Sequence, residues 1–181
     1  GMQVQIDARD VNVVYTGYQF GNYYRLNLAT NSQTYIQPKH KLGETPNRYN
    51  WQTPVLLSAH NQDILYYGSQ RLHRSFDQGN HWESISGDLT KGAKTGNVAF
   101  GTLTTISESP FHFGTIYTGS DGVISVTQDG GAHWTDVSEQ LPEGLWVSRV
   151  VASKHVPSRV YAALNAYRGD DFAPYLFVSN D

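Results

Sequence analysis

Two octapeptides share one pattern, and the interval between them limits the fold of this chain more than any other feature. Ser75-Phe76-Asp77-Gln78-Gly79-Asn80-His81-Trp82 and Thr127-Gln128-Asp129-Gly130-Gly131-Ala132-His133-Trp134 both read Ser/Thr-x-Asp-x-Gly-x-x-Trp, at an offset of 127 − 75 = 52 residues. A further step of 52 reaches Ser179-Asn180-Asp181, the opening of a third copy. The segments ahead of the octapeptides repeat as well: Val14-Tyr15-Thr16-Gly17, Leu65-Tyr66-Tyr67-Gly68 and Ile116-Tyr117-Thr118-Gly119 place Tyr15, Tyr66 and Tyr117 at steps of 51. Val160-Tyr161-Ala162-Ala163 is the fourth member. A period of this size means an array of one supersecondary unit, each copy burying its faces against its neighbours.

Within a unit, apolar runs alternate with turn residues every eight to twelve positions, the spacing of antiparallel strands. Strands are expected at about 3–6, 13–16, 23–27 and 33–36; 54–59, 64–68, 71–75 and 81–85; 103–108, 115–119, 123–127 and 133–137; and 147–153, 159–164 and 175–179. Four strands at a period near 50 make a β-propeller blade. The predicted fold is all-β: a single partial propeller over 1–181 with blades at about 3–37, 54–87, 103–138 and 147–181. The last blade is incomplete, the ring is not closed, and no helix exceeds one turn. Composition agrees, with 13% aromatic residues including twelve Tyr against 16% charged.

The octapeptide lies between the third and fourth strands of its unit, so it forms their hairpin. Gly79 and Gly131 supply a positive φ without a Cβ penalty, Asp77 and Asp129 accept from free turn N–H groups, and Ser75 and Thr127 add a hydroxyl. Trp82 and Trp134 open the fourth strand. Each indole can bury on the order of 150–250 Å², roughly 4–6 kcal/mol as an upper bound, against about 1 kcal/mol per turn hydrogen bond.

These octapeptides resemble Asp-boxes, the hairpin motif of bacterial neuraminidase repeats (BNR) that is also found in xyloglucanases and sortilin-type propellers. Ser75, Asp77, Gly79, Trp82, Thr127, Asp129, Gly131, Trp134, Ser179 and Asp181 carry the match. Trp146-Val147-Ser148-Arg149-Val150 and Tyr167-Arg168-Gly169-Asp170-Asp171-Phe172-Ala173-Pro174-Tyr175-Leu176-Phe177-Val178-Ser179 resemble in particular the sortilin-like, bacterial "glycosyl hydrolase, BNR repeat" proteins. The resemblance covers 54–181 well and 1–53 loosely, since Leu28-Ala29-Thr30-Asn31-Ser32 has lost the Asp, Gly and Trp of the box. It implies a structural role for the box aspartates. It also implies a secreted or periplasmic, carbohydrate-directed glycoside hydrolase-like parent, or alternatively a non-catalytic module that binds peptide or protein.

With strand 3–4 turns on one face, ligand chemistry falls to the strand 2–3 loops and interblade links on the other. Those are 17–22, 37–53, 69–71, 86–102, 119–122, 138–146 and 164–174. Asp88, Asp121, Arg168, Asp170 and Asp171 are the polar candidates there, with Trp51, Trp146 and Tyr167 as aromatic platforms. A glycosidase needs two carboxyl groups about 5–9.5 Å apart across one bond, which these aspartates permit. Asp170-Asp171 before Phe-Ala-Pro reads as a polar loop tied by Arg168, and no acid/base pair is assigned. A sialidase is disfavoured, because the Arg-Ile-Pro element typical of such enzymes is absent.

Other classes drop out. Thirteen Lys+Arg against sixteen Asp+Glu leave a formal charge of −3 without a basic run beyond Lys39-His40-Lys41, so nucleic acid is not an expected partner. Zero cysteines exclude disulfides and thiolate zinc, the seven His show no metal spacing, and no Gly-x-Ser-x-Gly or phosphate-cradling loop occurs. No metal or cofactor is expected, and no run approaches the roughly 20 apolar residues of a membrane span. The opening Gly1-Met2 reads as a cloning remnant. Expected partners are a polysaccharide or peptide ligand and, through the open blade edges, a second copy of the chain. An alternative is a compact four-bladed ring in which Gln3 to Ile6 supplies the missing strand of the last blade.

Overall fold

The computed structural model describes residues 2–96 and 98–180. Asp181, expected to hold the acidic position of the third octapeptide, lies outside the described residues. Among the described residues, fifteen strands form four separate antiparallel sheets. The first comprises β1 (Gln5–Ile6), β2 (Val13–Tyr18), β3 (Asn22–Asn27) and β4 (Ser32–Tyr35), and the second β5 (Val55–Leu57), β6 (Leu65–Gly68), β7 (Leu72–Ser75) and β8 (Glu83–Ser84). The third comprises β9 (Thr105–Glu108), β10 (Ile116–Gly119), β11 (Ile124–Thr127) and β12 (Thr135–Asp136). The fourth has three strands, β13 (Trp146–Ala152), β14 (Val160–Ala166) and β15 (Asp171–Ser179). Among the described residues the only helical element is a 3-10 turn at Tyr167–Gly169. No helix among them is long and apolar enough to cross a membrane.

Each sheet is a simple meander whose strands pair with their sequence neighbours, and the register repeats: Leu65 lies opposite Ser75, as Ile116 lies opposite Thr127. This is a partial propeller. Period-2 alternation sends alternate side chains to the two faces of each sheet, and three cores fill the spaces between successive blades. Tyr15, Tyr23, Ile36, Val55 and Tyr67 are buried between the first and second. Tyr66, Leu72, Ile85, Leu103 and Ile116 are buried between the second and third. Ile124, Val147, Val150 and Leu164 are buried between the third and fourth. A buried carboxylate also ties the second blade to the third: Glu108 accepts from Ser58 Oγ (2.7 Å), Ala59 N (3.1 Å) and Tyr66 Oη (2.9 Å).

Three expectations are corrected. Gln5–Ile6 does not close a ring against the last blade, because it pairs with β2 as the first, edge strand of the first sheet. The segment 164–174 is not a loop excursion; β14 and β15 continue to an Ala166–Asp171 pair and turn tightly at Tyr167–Gly169, with Asp170 left-handed at φ 59°. Arg168 does not tie Asp170-Asp171. Its guanidinium lies over the rings of Trp146 and Tyr167, at 4.6 and 4.7 Å, while Asp171 is held by Tyr175 Oη at 2.6 Å and Ala173 N at 2.9 Å.

The first blade makes its β3–β4 turn without the octapeptide. Asn27 Oδ1 accepts from the N–H groups of Ala29 and Thr30, both at 3.1 Å, and Asn31 takes the left-handed conformation at φ 53°. Asn tolerates that region and caps its own turn, so it replaces both the Asp and the Gly.

Candidate functional site

The octapeptide turns occupy one face. Ser75 Oγ accepts from Gly79 N (2.8 Å) and donates to Asp77 Oδ1 (2.8 Å), which in turn accepts from His81 N (2.8 Å). Thr127, Asp129, Gly131 and His133 repeat the arrangement at 2.9 Å for all three bonds. The histidine ring completes each turn, with Nδ1 at 2.5 Å from Asp77 Oδ2 and at 2.6 Å from Asp129 Oδ2. Burial alone would raise the Asp77 carboxyl, but the N–H and ring of His81 and the Ser75 hydroxyl outweigh it and hold the group down at about 2. The backbone N–H of His133, then its ring and the Thr127 hydroxyl, likewise hold Asp129 well below the usual carboxylate range. Each turn needs two consecutive left-handed residues, Gln78 (φ 61°) with Gly79 (φ 88°) and Gly130 (φ 73°) with Gly131 (φ 105°).

The turns also clasp the preceding blade. Arg25 Nη1 donates to Gln78 O at 2.8 Å, and Arg74 Nη1 to Gly130 O at 3.1 Å. Gly79 rests on Ile36, and Gly131 on Ile85, so closely that added Cβ atoms would lie 3.0 and 2.8 Å from the respective Cβ. Both indoles are half-buried. Trp82 packs into the first core, edge-on to Tyr67 with centroids 5.5 Å apart, and Trp134 packs into the second, with Nε1 donating to Ile85 O at 2.9 Å. Sequence reasoning missed the roles of Arg25, Arg74, His81 and His133. The recurrence of each at a near-constant step before or within the octapeptide was the available signal.

The opposite face carries the β2–β3-type loops and the interblade links. Arg48, in the first link, organises its centre: Nη2 pairs with Asp88 at 2.7 Å, Nε donates to Gly101 O at 2.9 Å, and the backbone N donates to Gln70 Oε1 at 2.8 Å. Burial pushes Asp88 up, but the Thr90 hydroxyl and Arg48 outweigh it and leave the carboxyl below its ordinary value. Asp121 occupies in the third blade the place of Gln70 in the second; it is buried, and Oδ2 accepts from Gly101 N at 3.4 Å while Oδ1 has no hydrogen-bond partner among the described residues. Asp171 is lowered chiefly by the Tyr175 hydroxyl and then by Ala173 N–H. Asp88, Asp121 and Asp171 therefore each hold chain in place, and Asp170 caps the 3-10 turn through its backbone N–H to Tyr167 O.

The aromatic candidates separate into two patches. At the first blade, Trp51 of the following link is 54% exposed and meets Phe20, 47% exposed, edge-on at 5.2 Å between centroids. Phe20 N donates to Trp51 O at 3.2 Å, and Phe20 sits at φ 57°, which a bulky residue adopts at a cost. On the fourth blade Trp146 lies between the Arg168 guanidinium and Phe100, the latter 5.5 Å away, with exposed Tyr167 alongside. Two grooves of about 630 and 820 Å³ open elsewhere on the molecule, and neither is lined by Asp88, Asp121, Asp170 or Asp171. Among the described residues no three His, Asp or Glu side chains converge as metal ligands would.

Similar solved structures are propellers. A GH74 enzyme from Niastella koreensis aligns with 97% of this chain at 20% identity and a TM-score of 0.64, and the GH74 xyloglucanase from Xanthomonas campestris aligns with 98% at 18% and 0.62. The chain spans only 28% and 29% of their lengths. The structure of a nidogen/laminin complex aligns with 90% at 16% identity and 0.53, over 56% of its matched chain. At such identities the likeness is one of fold. No protein-family model and no curated protein matches the chain.

Proposed function

We propose that this chain is part of an Asp-box (BNR-repeat) propeller of a glycoside hydrolase-like protein, and that its contribution is to hold polysaccharide rather than to cleave it. The Phe20–Trp51 pair carries the reading. An aromatic ring kept exposed on a left-handed backbone, braced by a second exposed ring, is a platform for the apolar face of a sugar. The Arg168–Trp146–Tyr167 cluster would be a second contact further along the same face. Cleavage is assigned elsewhere in the parent, because Asp88, Asp121 and Asp171 are engaged within the chain. The GH74 likeness, one member of which is a xyloglucanase, directs the first choice of ligand to xyloglucan-type β-glucans. The same resemblance supports a protein working outside the cytoplasm, with 1–181 as one partial propeller.

Affinity electrophoresis on soluble xyloglucan and other β-glucans tests this. The chain should be retarded, and Phe20→Ala with Trp51→Ala should migrate as in a gel without polysaccharide. Unretarded wild-type protein that instead captures a defined extended peptide would favour the sortilin-type alternative, for which the same aromatic face is also suited.

A further inference from the structure

On the loop face the third blade departs from the second at one turn. Four positions after the repeated tyrosine stand Gln70 in the second blade and Asp121 in the third. Both take an N–H from the link ahead of their own blade: Gln70 Oε1 from Arg48 N at 2.8 Å, and Asp121 Oδ2 from Gly101 N at 3.4 Å. A neutral amide therefore suffices for that task, and the carboxylate brings a charge and a second oxygen that the fold does not use. Oδ1 is shielded and has no hydrogen-bond partner among the described residues, which costs a charged group more than a neutral one. The next residue changes as well. Arg71 gives way to Gly122, at φ 86°, and Lys91 takes the space: a Cβ on Gly122 would lie 3.3 Å from Nζ. Lys91 is exposed, and among the described residues its ammonium makes no hydrogen bond or ion pair. The turn adjoins the fourth blade's aromatic cluster, since Ser120 O accepts from Val147 N at 3.0 Å, next to Trp146, and Gly101 follows Phe100.

We propose that Asp121 and Lys91 form a subsite for two neighbouring hydroxyls of a neutral sugar residue, beside the Trp146 platform; this rests on the polysaccharide-holding reading above. The chemistry narrows the occupant. Oδ1 needs a proton donor, which an anion lacks. A cation would have to pass Lys91, with Lys94 over Phe100 and Arg168 over Trp146 on the neighbouring rings. In a vicinal diol one hydroxyl donates to Oδ1 while the oxygen of the other accepts from Lys91 Nζ, so a neutral pair satisfies both groups. The way in lies over Gly122, which has no side chain. Its cover there is Leu145 O and the end of the Lys91 side chain, which no hydrogen bond pins and which swings aside.

Affinity electrophoresis of Asp121→Asn and Lys91→Met on soluble xyloglucan tests the subsite. In Asp121→Asn the amide oxygen stays on the Gly101 N–H, so an NH2 group replaces Oδ1 and meets the sugar hydroxyl as a second donor. Each variant should keep wild-type far-UV circular dichroism and melting and bind about ten-fold more weakly, the loss of one charge-assisted hydrogen bond. Should Asp121→Asn melt early, Lys91→Met decides, because it removes no internal hydrogen bond. Full binding by Lys91→Met, or by a stably folded Asp121→Asn, while Phe20→Ala with Trp51→Ala is not retarded, would overturn the subsite and leave the polysaccharide reading standing. Wild-type protein retarded by no β-glucan would remove that reading and the subsite with it. Tighter retention on carboxymethylcellulose than on neutral hydroxyethylcellulose would also overturn the proposal, since the occupant would then be an anion.

Discussion

Gly131→Ala separates the cost of the turn from the cost of the blade interface. Gly131 has φ 105°, and a Cβ there would lie 2.5 Å from Ile85 O and 2.8 Å from Ile85 Cβ, so the preceding blade's backbone must retreat. Gly144 is the control, with φ 77° and nothing within 4 Å of its would-be Cβ. An alanine in left-handed backbone costs about 1–2 kcal/mol, which both variants incur. The gain from restricting the unfolded chain, about 0.4–1 kcal/mol, is also common to both and cancels in the difference. Only Gly131→Ala adds overpacking against Ile85, about 1–3 kcal/mol. It should therefore melt about 2–12 °C below Gly144→Ala, at roughly 2–4 °C per kcal/mol for a chain of this size. Urea titration followed by tryptophan emission should rank the two in the same order. Equal stabilities would refute the reasoning, because the glycine would then serve the turn alone.

Two further outcomes follow from buried polar groups. His73 is buried, with Nε2 at 2.8 Å from Ser69 Oγ; burial first and the Arg71 charge second push it down to about 4 from 6.5. The unfolded chain thus takes up a proton that the folded chain refuses, so this contribution is whole above pH 6.5 and is lost as pH falls towards 4, about 3 kcal/mol in all. Urea midpoints between pH 7 and 4.5 should fall in the wild type and stay flatter in His73→Asn; parallel curves would contradict the assignment. Glu108→Gln places an amide donor against Ser58, Ala59 or Tyr66, all of which donate to it now, and should cost about 2 kcal/mol in the same titration at pH 7.

The strands and their order were legible because a 51- to 52-residue echo fixes register, and alternation does the rest. The octapeptide's Ser, Asp and Gly were legible because each answers a local demand of one tight turn. Arg25 and Arg74 were not, since they act on the next blade's turn about 55 positions away, and no local rule connects them. The 164–174 segment misled because Asp170, Gly169 and Pro174 suggest a loop; the chain instead closes in a 3-10 turn and the strands bulge around it. On the opposite face, sequence located the aromatic residues but not their company. That Trp51 meets Phe20, that Arg168 lies over Trp146, and that Asp88 is taken by Arg48 depend on which links cross at each blade top.

Exchange of the four indole N–H protons with solvent, followed by nitrogen-15 NMR on the intact chain, tests the wedge between blades most directly. Trp134, whose N–H reaches Ile85 O, should exchange slowest and show cross-relaxation to Ile85, Trp82 should be protected by its packing, and the exposed Trp51 should exchange fastest. Trp134 exchanging as fast as Trp51, with no contact to Ile85, would contradict the account.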